Sequence, residues 1–366
     1  MILKKKLLLI LLFSLSFLCP AQRTEAKKTL YSHSGRIEIL EGNKVLLIGS
    51  ASSVSFNFKG ESCEISLKSF DSWANHNYVS LELDDKYIGR LLIEKGETKF
   101  YPIVVPKNGK IHHLSIFKAT EAASGDILFS GTTANLVEIK CENRKKIEFI
   151  GNSITCGAQS DPSQVPCDKG EYMDHHNAYL AYGPVLSRSL NVDFLLSSYS
   201  GIGMYRNWND EHIDEPIMPE VYENLHLNKD NSKRYDFSFQ PDVVSICLGT
   251  NDMSEGDHIK PRLPFNEDKY VSNYIHFIKT VYSHSPKTRI VLLNSPMVTG
   301  DKNDTFIKCL KRVIQSFDSD KIHKPIALFE FKPMIAHGCG GHPDVNDQKI
   351  MAEQMNSFFK KLLNEK

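Results

Sequence analysis

The sequence predicts two domains of different class: an antiparallel β-sandwich or barrel, then an α/β domain with a parallel sheet flanked by helices. Two rhythms carry the expectation. From Gly35 to about Lys140, short segments alternate apolar and polar residues and are broken by turn residues, whereas from Lys146 onward near-continuous apolar runs alternate with stretches of helical spacing. Alternation at period two marks half-buried strands, and apolar runs between helices mark a parallel sheet covered on both faces. The length of 366 residues also suits two domains at ~100–200 residues each.

At the N-terminus, Lys4, Lys5 and Lys6 precede an apolar run over residues 7–18, broken by Ser14 and Ser16. A basic start followed by ~7–15 apolar residues is the layout of an export signal and is short for a membrane span. We assign residues 1–21 to a signal peptide cleaved before Gln22, with Ala26 as a second cleavage candidate. An exported protein (periplasmic, cell-surface or secreted) is therefore expected. Lipid modification of Cys19 is the alternative, disfavoured because Ser16-Phe17-Leu18 lacks the small residues such processing prefers. No other stretch approaches ~18 continuous apolar residues, so no membrane span is expected.

Residues 27–142 form the predicted sandwich. Segments 36–40, 54–58, 63–67, 79–83 and 111–116 alternate, and Asp84-Asp85, Lys95-Gly96 and Asn108-Gly109 supply turns. The polar stretch 141–145 marks the boundary with a second domain over 143–366. There 147–150, 192–196, 243–248, 290–293 and 326–331 read as buried strands. Tyr270, Tyr274, Phe277, Ile278 and Val281 share a helical face, and Ile350, Met351, Met355, Phe359 and Leu362 mark an amphipathic C-terminal helix. About forty residues between Tyr199 and Pro241 carry little periodicity, and a connection that long is usually functional or partly disordered.

Lys plus Arg and Asp plus Glu each total 44, so no net field draws a phosphate backbone and no nucleic-acid partner is expected. Eight cysteines are too few for a disulfide scaffold, and no Cys-x-x-Cys offers a zinc or thioredoxin-like site. Loss of Cys19 with the signal leaves an odd number, hence at least one unpaired thiol. Cys156 and Cys167, with Asp161, Pro162 and Pro166 between them, are the expected pair. His112-His113 and His175-His176 lack metal-ligand spacing, so no metal is expected.

In an open parallel sheet, ligands sit beyond the carboxyl ends of the strands. The first predicted strand runs into Gly151-Asn152-Ser153-Ile154-Thr155, the second into Ser200-Gly201-Ile202-Gly203 and the third into Gly249-Thr250-Asn251-Asp252. After the fifth comes Gly338-Cys339-Gly340-Gly341-His342-Pro343-Asp344. Singly, Ser153 and Asn251 read as helix caps, the glycines as turn residues and His342 as a solvated loop residue. Jointly they supply a hydroxyl nucleophile, a base and oxyanion donors, the equipment of acyl transfer.

These four blocks resemble those of SGNH (GDSL-like) hydrolases over residues 146–366, and the sandwich placed before them resembles carbohydrate esterase family 2. The resemblance implies a jelly-roll-like sandwich followed by an SGNH domain, removal of acetyl groups from plant polysaccharides such as xylan or glucomannan, and no cofactor. It implies Ser153 as nucleophile, His342 as base, and an oxyanion hole from the N–H groups of Ser153 and Gly201 and the amide of Asn251. The Gly-x-Ser-x-Gly elbow of α/β-hydrolases is absent at Ser153. Asn152 and Cys339 stand where the family usually has Asp. Some family 2 esterases work with a Ser–His dyad and a backbone carbonyl holding the histidine, so that arrangement is expected, with Asp344 as the alternative orienter. Trp208 and Tyr205, shortly after Gly201, are candidates for stacking on sugar rings, as is Trp73 in the sandwich. Two other functions fit the same residues: a general small-acyl or lipase-like hydrolase, and a carbohydrate-binding protein whose catalytic domain has decayed.

Overall fold

The computed structural model describes residues 28–70, 75–140 and 142–365. The expectations for the signal peptide 1–21, for Cys19 and for Trp73 lie outside the described residues.

The first half is a run of short strands: β1 (Lys28–Thr29), β2 (Ser32–Ser34), β3 (Ile37–Leu40), β4 (Lys44–Leu47), β5 (Ser53–Lys59), β6 (Ser62–Ser69) and β7 (His76–Leu83). After them come β8 (Lys86–Glu94), β9 (Lys99–Val104), β10 (Ile111–Lys118), β11 (Ile127–Thr132), β12 (Asn135–Val137) and β13 (Ile139–Lys140). One antiparallel sheet has the order β12-β5-β10-β7-β8 with β2 also on β5, and the other β3-β4-β11-β6-β9. Side chains that alternate in sequence point to opposite faces of a strand. In β5, Val54, Phe56 and Phe58 are accordingly buried while Ser55 and Asn57 reach the outer face. The inner faces share one core with Ile65, Leu81, Leu114 and Phe129, so this half is a sandwich.

The parallel sheet follows, built from β14 (Lys146–Gly151), β15 (Asp193–Ser198), β16 (Val243–Cys247), β17 (Arg289–Leu293) and β18 (Ala327–Phe329) in the order β15-β14-β16-β17-β18. Its helices are α1 (Ser153–Cys156), α2 (Tyr182–Leu190), α3 (Met218–Val221), α4 (Glu267–His284), α5 (Gly300–Gln315) and α6 (Val345–Asn364). One face of the sheet packs Ile150, Val244 and Ile246 against α4 and α5, and the other packs Phe149 and Val291 against α2 and α6. Strand order reverses at β14, between β15 and β16, and such a reversal opens a crevice beyond the strand ends. Among the described residues, no helix is long and apolar enough to cross a membrane.

Buried polar groups tie the two halves together. Arg36, between β2 and β3, is fully buried, and its guanidinium donates to Ser197 Oγ and to the carbonyls of Tyr222 and Asn224 while stacking on Tyr235. Glu148 on β14 accepts from the Ser197 and Tyr222 hydroxyls in the same cluster. Burial holds the Glu148 carboxyl above its ordinary value, against the pull of Ser197 and of the Arg36 charge. On the other side, Arg90 of β8 donates to the carbonyls of Asp161, Asp174 and His176.

Arg36→Ala leaves two carbonyls and the Glu148 carboxyl buried without their cation. It is expected to destabilise the protein by about 3–5 kcal/mol, read from the shift of its urea unfolding midpoint at pH 7. A shift worth less than about 1 kcal/mol, the scale of an exposed pair, would show that the seam does not depend on this residue.

Candidate active site

Gly151 ends β14 where a side chain has no room, since a Cβ there would sit 2.0 Å from Thr155 Oγ1. Asn152 caps α1, its Oδ1 accepting the Ile154 N–H at 3.1 Å. Ser153 is the first residue of α1, so its N–H has no partner within the helix. Its Oγ lies 2.9 Å from His342 Nε2. On the far side of the ring, His342 Nδ1 lies 3.2 Å from Gly340 O. A carbonyl only accepts, which assigns the proton to Nδ1 and leaves the Nε2 lone pair for the serine hydroxyl.

The turn that carries His342 is held at several points. Gly338 N–H donates to His342 O at 2.8 Å, and Cys339 N–H to Gln159 O at 2.9 Å. Cys339 is also joined to Cys167 in a disulfide. The expected pairing of Cys156 with Cys167 is thus replaced: Cys156 is a buried free thiol in α1, 3.5 Å from Glu121 Oε2, while Cys167 reaches the histidine turn. Asp344 does not face the imidazole. Its carboxylate accepts the N–H groups of Asn346 and Asp347 as the cap of α6, which withdraws it from the role of orienter.

Opposite the histidine, Gly201 has φ 76°, in the left-handed region that glycine enters without strain. The buried Asp252 carboxylate gathers the following loop, accepting N–H groups from Met204 (2.9 Å) and Tyr205 (2.8 Å). Burial pushes Asp252 up to about 6, and those N–H bonds oppose the rise. Its neighbour Asn251 is buried in the turn that follows β16 and donates Nδ2 to Ile202 O at 2.8 Å. Ser153, Gly201, Asn251 and His342 therefore come to one edge of the sheet.

The two aromatic candidates part company. Tyr205 is in the core: its ring packs on Phe265 and its oxygen accepts the Asn266 N–H, so no face remains for a ligand. The ties from Met204 and Tyr205 to Asp252 turn this residue inward. Trp208 is 46% exposed and lines a groove of about 610 Å³ with Gly201, Asn207, Asn209, Lys229 and Lys260. Three residues that sequence reasoning did not assign to the site also border it. Tyr172 donates its hydroxyl to Ser200 Oγ, Glu121 accepts the Ser200 N–H, and His176 faces Glu121. The His175-His176 pair was the visible signal among them, although as a metal question. Among the described residues, no group of three or more His, Cys, Asp or Glu gathers to hold a metal ion.

Two family models match the chain: Carbohydrate esterase 2 N-terminal over residues 33–138, and GDSL-like Lipase/Acylhydrolase family over residues 149–319. An acetylxylan esterase / glucomannan deacetylase of Cellvibrio japonicus (strain Ueda107) is 29% identical over 302 residues, covering 81% of this chain and 79% of its own length. A family two carbohydrate esterase from Clostridium thermocellum, solved in complex with cellohexaose, superposes with a TM-score of 0.77 at 25% identity, covering 91% of this chain and 99% of that one. A family two carbohydrate esterase from Cellvibrio japonicus shares the fold, with a TM-score of 0.79 at 19% identity over 93% of this chain and 97% of its own.

Burial lowers the His342 pKa below its ordinary value, although the Gly340 and Cys339 carbonyls pull upward. A lowered value keeps the imidazole neutral, and able to accept the serine proton, down to more acid pH. In the resting protein His342 is expected to titrate below ~6.5, followed by NMR of the imidazole protons. Titration above ~7 would contradict the geometry.

Proposed function

We propose that this chain, which belongs to the GDSL-like (SGNH) hydrolases with the domain pair of carbohydrate esterase family 2 and is a carboxylic ester hydrolase, is an exported O-acetylesterase acting on plant polysaccharides such as xylan or glucomannan. The observation that carries the reading is the 2.9 Å contact of Ser153 Oγ with a His342 ring whose other nitrogen rests on Gly340 O.

In this mechanism Ser153 Oγ attacks the acetyl carbonyl carbon while His342 Nε2 takes the hydroxyl proton. The carbonyl oxygen becomes an oxyanion facing the N–H groups of Ser153 and Gly201 and the Asn251 amide. As the intermediate collapses, the bond to the sugar oxygen breaks, and that oxygen receives the proton from Nε2. Water then attacks the acetyl-serine, giving its proton to Nε2. The second collapse releases acetate and returns the proton to Ser153. Gly340 O keeps the Nδ1 proton in place throughout.

Trp208, exposed beside Gly201, supports a sugar as the leaving group, since a flat aromatic face suits a pyranose ring. Export is supported by the basic and apolar leader at residues 1–21 and by the Cys167–Cys339 disulfide, a bond that persists in oxidising compartments. In this reading the mature chain is a sandwich over 27–142 and a catalytic domain over 143–366. The formed Ser153–His342 contact favours an active enzyme over a decayed binding module.

Acetate release from acetylated xylan and glucomannan tests the reading, with Ser153→Ala as the blank. Release by the wild type and none by the variant is expected; release confined to small aryl esters would indicate a general small-acyl hydrolase. Asn251→Ala is expected to lower kcat by ~10²–10³, the typical cost of one oxyanion donor. Asp344→Asn is expected to keep most activity, and a loss of ~10⁴ would make Asp344 an orienting acid.

A further inference from the structure

We infer that Glu121, a residue of the sandwich, positions the oxyanion strap at Ser200-Gly201 and supplies the buried negative charge that His342 lacks among its direct contacts. The inference rests on the serine-esterase reading above. Glu121 follows β10, at the start of a 3-10 turn (Ala122–Ser124), and is 2% exposed. So deeply buried a carboxylate is costly unless it is hydrogen-bonded. Here Oε2 accepts the Ser200 N–H at 2.6 Å and the Cys156 thiol at 3.5 Å, while Oε1 faces His176 Nε2 at 3.4 Å. Ser200 directly precedes Gly201, and its Oγ accepts the Tyr172 hydroxyl at 3.2 Å. The strap is thus held from two sides, once from each domain.

His176 leaves the pair negative. Its Nδ1 accepts the Gln159 N–H at 3.5 Å, which places the ring proton on Nε2, facing Glu121. Burial raises the Glu121 carboxyl, but His176 and Ser200 outweigh it, and the group stays below its ordinary value and ionised at neutral pH. The Tyr172 ring lies edge-on to both histidines, 4.7 Å from His176 and 6.3 Å from His342. The Glu121 charge raises His342, opposing the burial that lowers it. Each time His342 takes the Ser153 proton it becomes a cation, and a fixed negative charge in a low-dielectric pocket stabilises it. Triad enzymes do this with a contacting acid, a place that Cys339 and Asp344 leave empty.

The other titratable groups around Glu121 are Cys156, Tyr172, Tyr199 and Lys118. Burial pushes Lys118 down to about 8; its Nζ donates to the Glu121 carbonyl, and the nearby Asp126 is paired with His226.

Glu121→Gln keeps an oxygen for the Ser200 N–H and removes the charge. On an aryl acetate, kcat is expected to fall about 10–100-fold, short of the ~10⁴ lost with a contacting acid, and KM to stay within about twofold. The acid limb of kcat/KM is expected to move to lower pH, because the imidazolium loses its favourable field. Glu121→Asp keeps the charge but draws it back from Ser200; it is expected to lower kcat with the acid limb at its wild-type pH, and it decides the matter if the glutamine protein does not fold. An unmoved acid limb in Glu121→Gln, or wild-type kcat in either variant, overturns the inference. A wild type that does not hydrolyse the aryl acetate, or a Ser153→Ala protein that does, overturns the underlying esterase reading instead.

Discussion

Ionised groups can be buried only where each meets an opposite charge or a set of hydrogen-bond partners, and this chain buries several where its sandwich meets its parallel sheet. Arg36 enters from the sandwich into the Glu148, Ser197 and Tyr222 cluster, Arg90 closes on the 161–176 segment, and Glu121 reaches Ser200 and His176. In each case donor and acceptor come from different domains. Separated, either half would carry unpaired polar groups from its interior into solvent or leave them stranded in an apolar wall. The seam therefore fixes how the sandwich sits against the parallel sheet, and Ser153 and His342 meet beyond the strand ends of that sheet.

The histidine turn illustrates how one residue type can stand in for another by a different physical route. An acid three residues before His342 would orient the ring and supply charge together. Cys339 does neither directly. Its sulfur crosslinks the turn to Cys167 and its N–H grips Gln159 O, and the turn so held presents the Gly340 carbonyl to Nδ1. Orientation is thus kept by a dipole with no net charge, and the electrostatic half of the task is separated from it in space.

Much of this was legible in the chain because the informative patterns are local. All five strands of the parallel sheet coincide with apolar runs, since strands buried on both faces have no polar alternation to dilute the signal. In the sandwich, β5, β6 and much of β7 alternate cleanly in sequence. β8, β9 and β11 do not: Gly89 sits at φ 117° beside a register shift, Pro102 interrupts β9, and β11 carries a bulge at Phe129/Gly131. The four blocks holding Ser153, Gly201, Asn251 and His342 are short and self-contained, so they too could be found by eye. What escaped depends on packing across long separations. Cys167 and Cys339 are 172 residues apart, which no spacing rule joins. Glu121 belongs to the other domain, and the burial of Tyr205 follows from the Asp252 cradle rather than from any feature of its own segment.

The Arg90 guanidinium addresses the 161–176 segment mainly through main-chain oxygens, those of Asp161, Asp174 and His176, with the Asp161 carboxylate at 3.3 Å; the Gln164 side chain donates back to the Arg90 carbonyl at 3.0 Å. A carbonyl oxygen is the same whichever residue bears it. Exposed positions such as Asp168 and Lys169 can therefore change without removing an acceptor from the guanidinium, whereas Cys167 carries the disulfide and a Cβ at Gly170 would meet the Asp174 carboxylate. The joint between the domains is thus specified by the path of the main chain more than by the residue types along it.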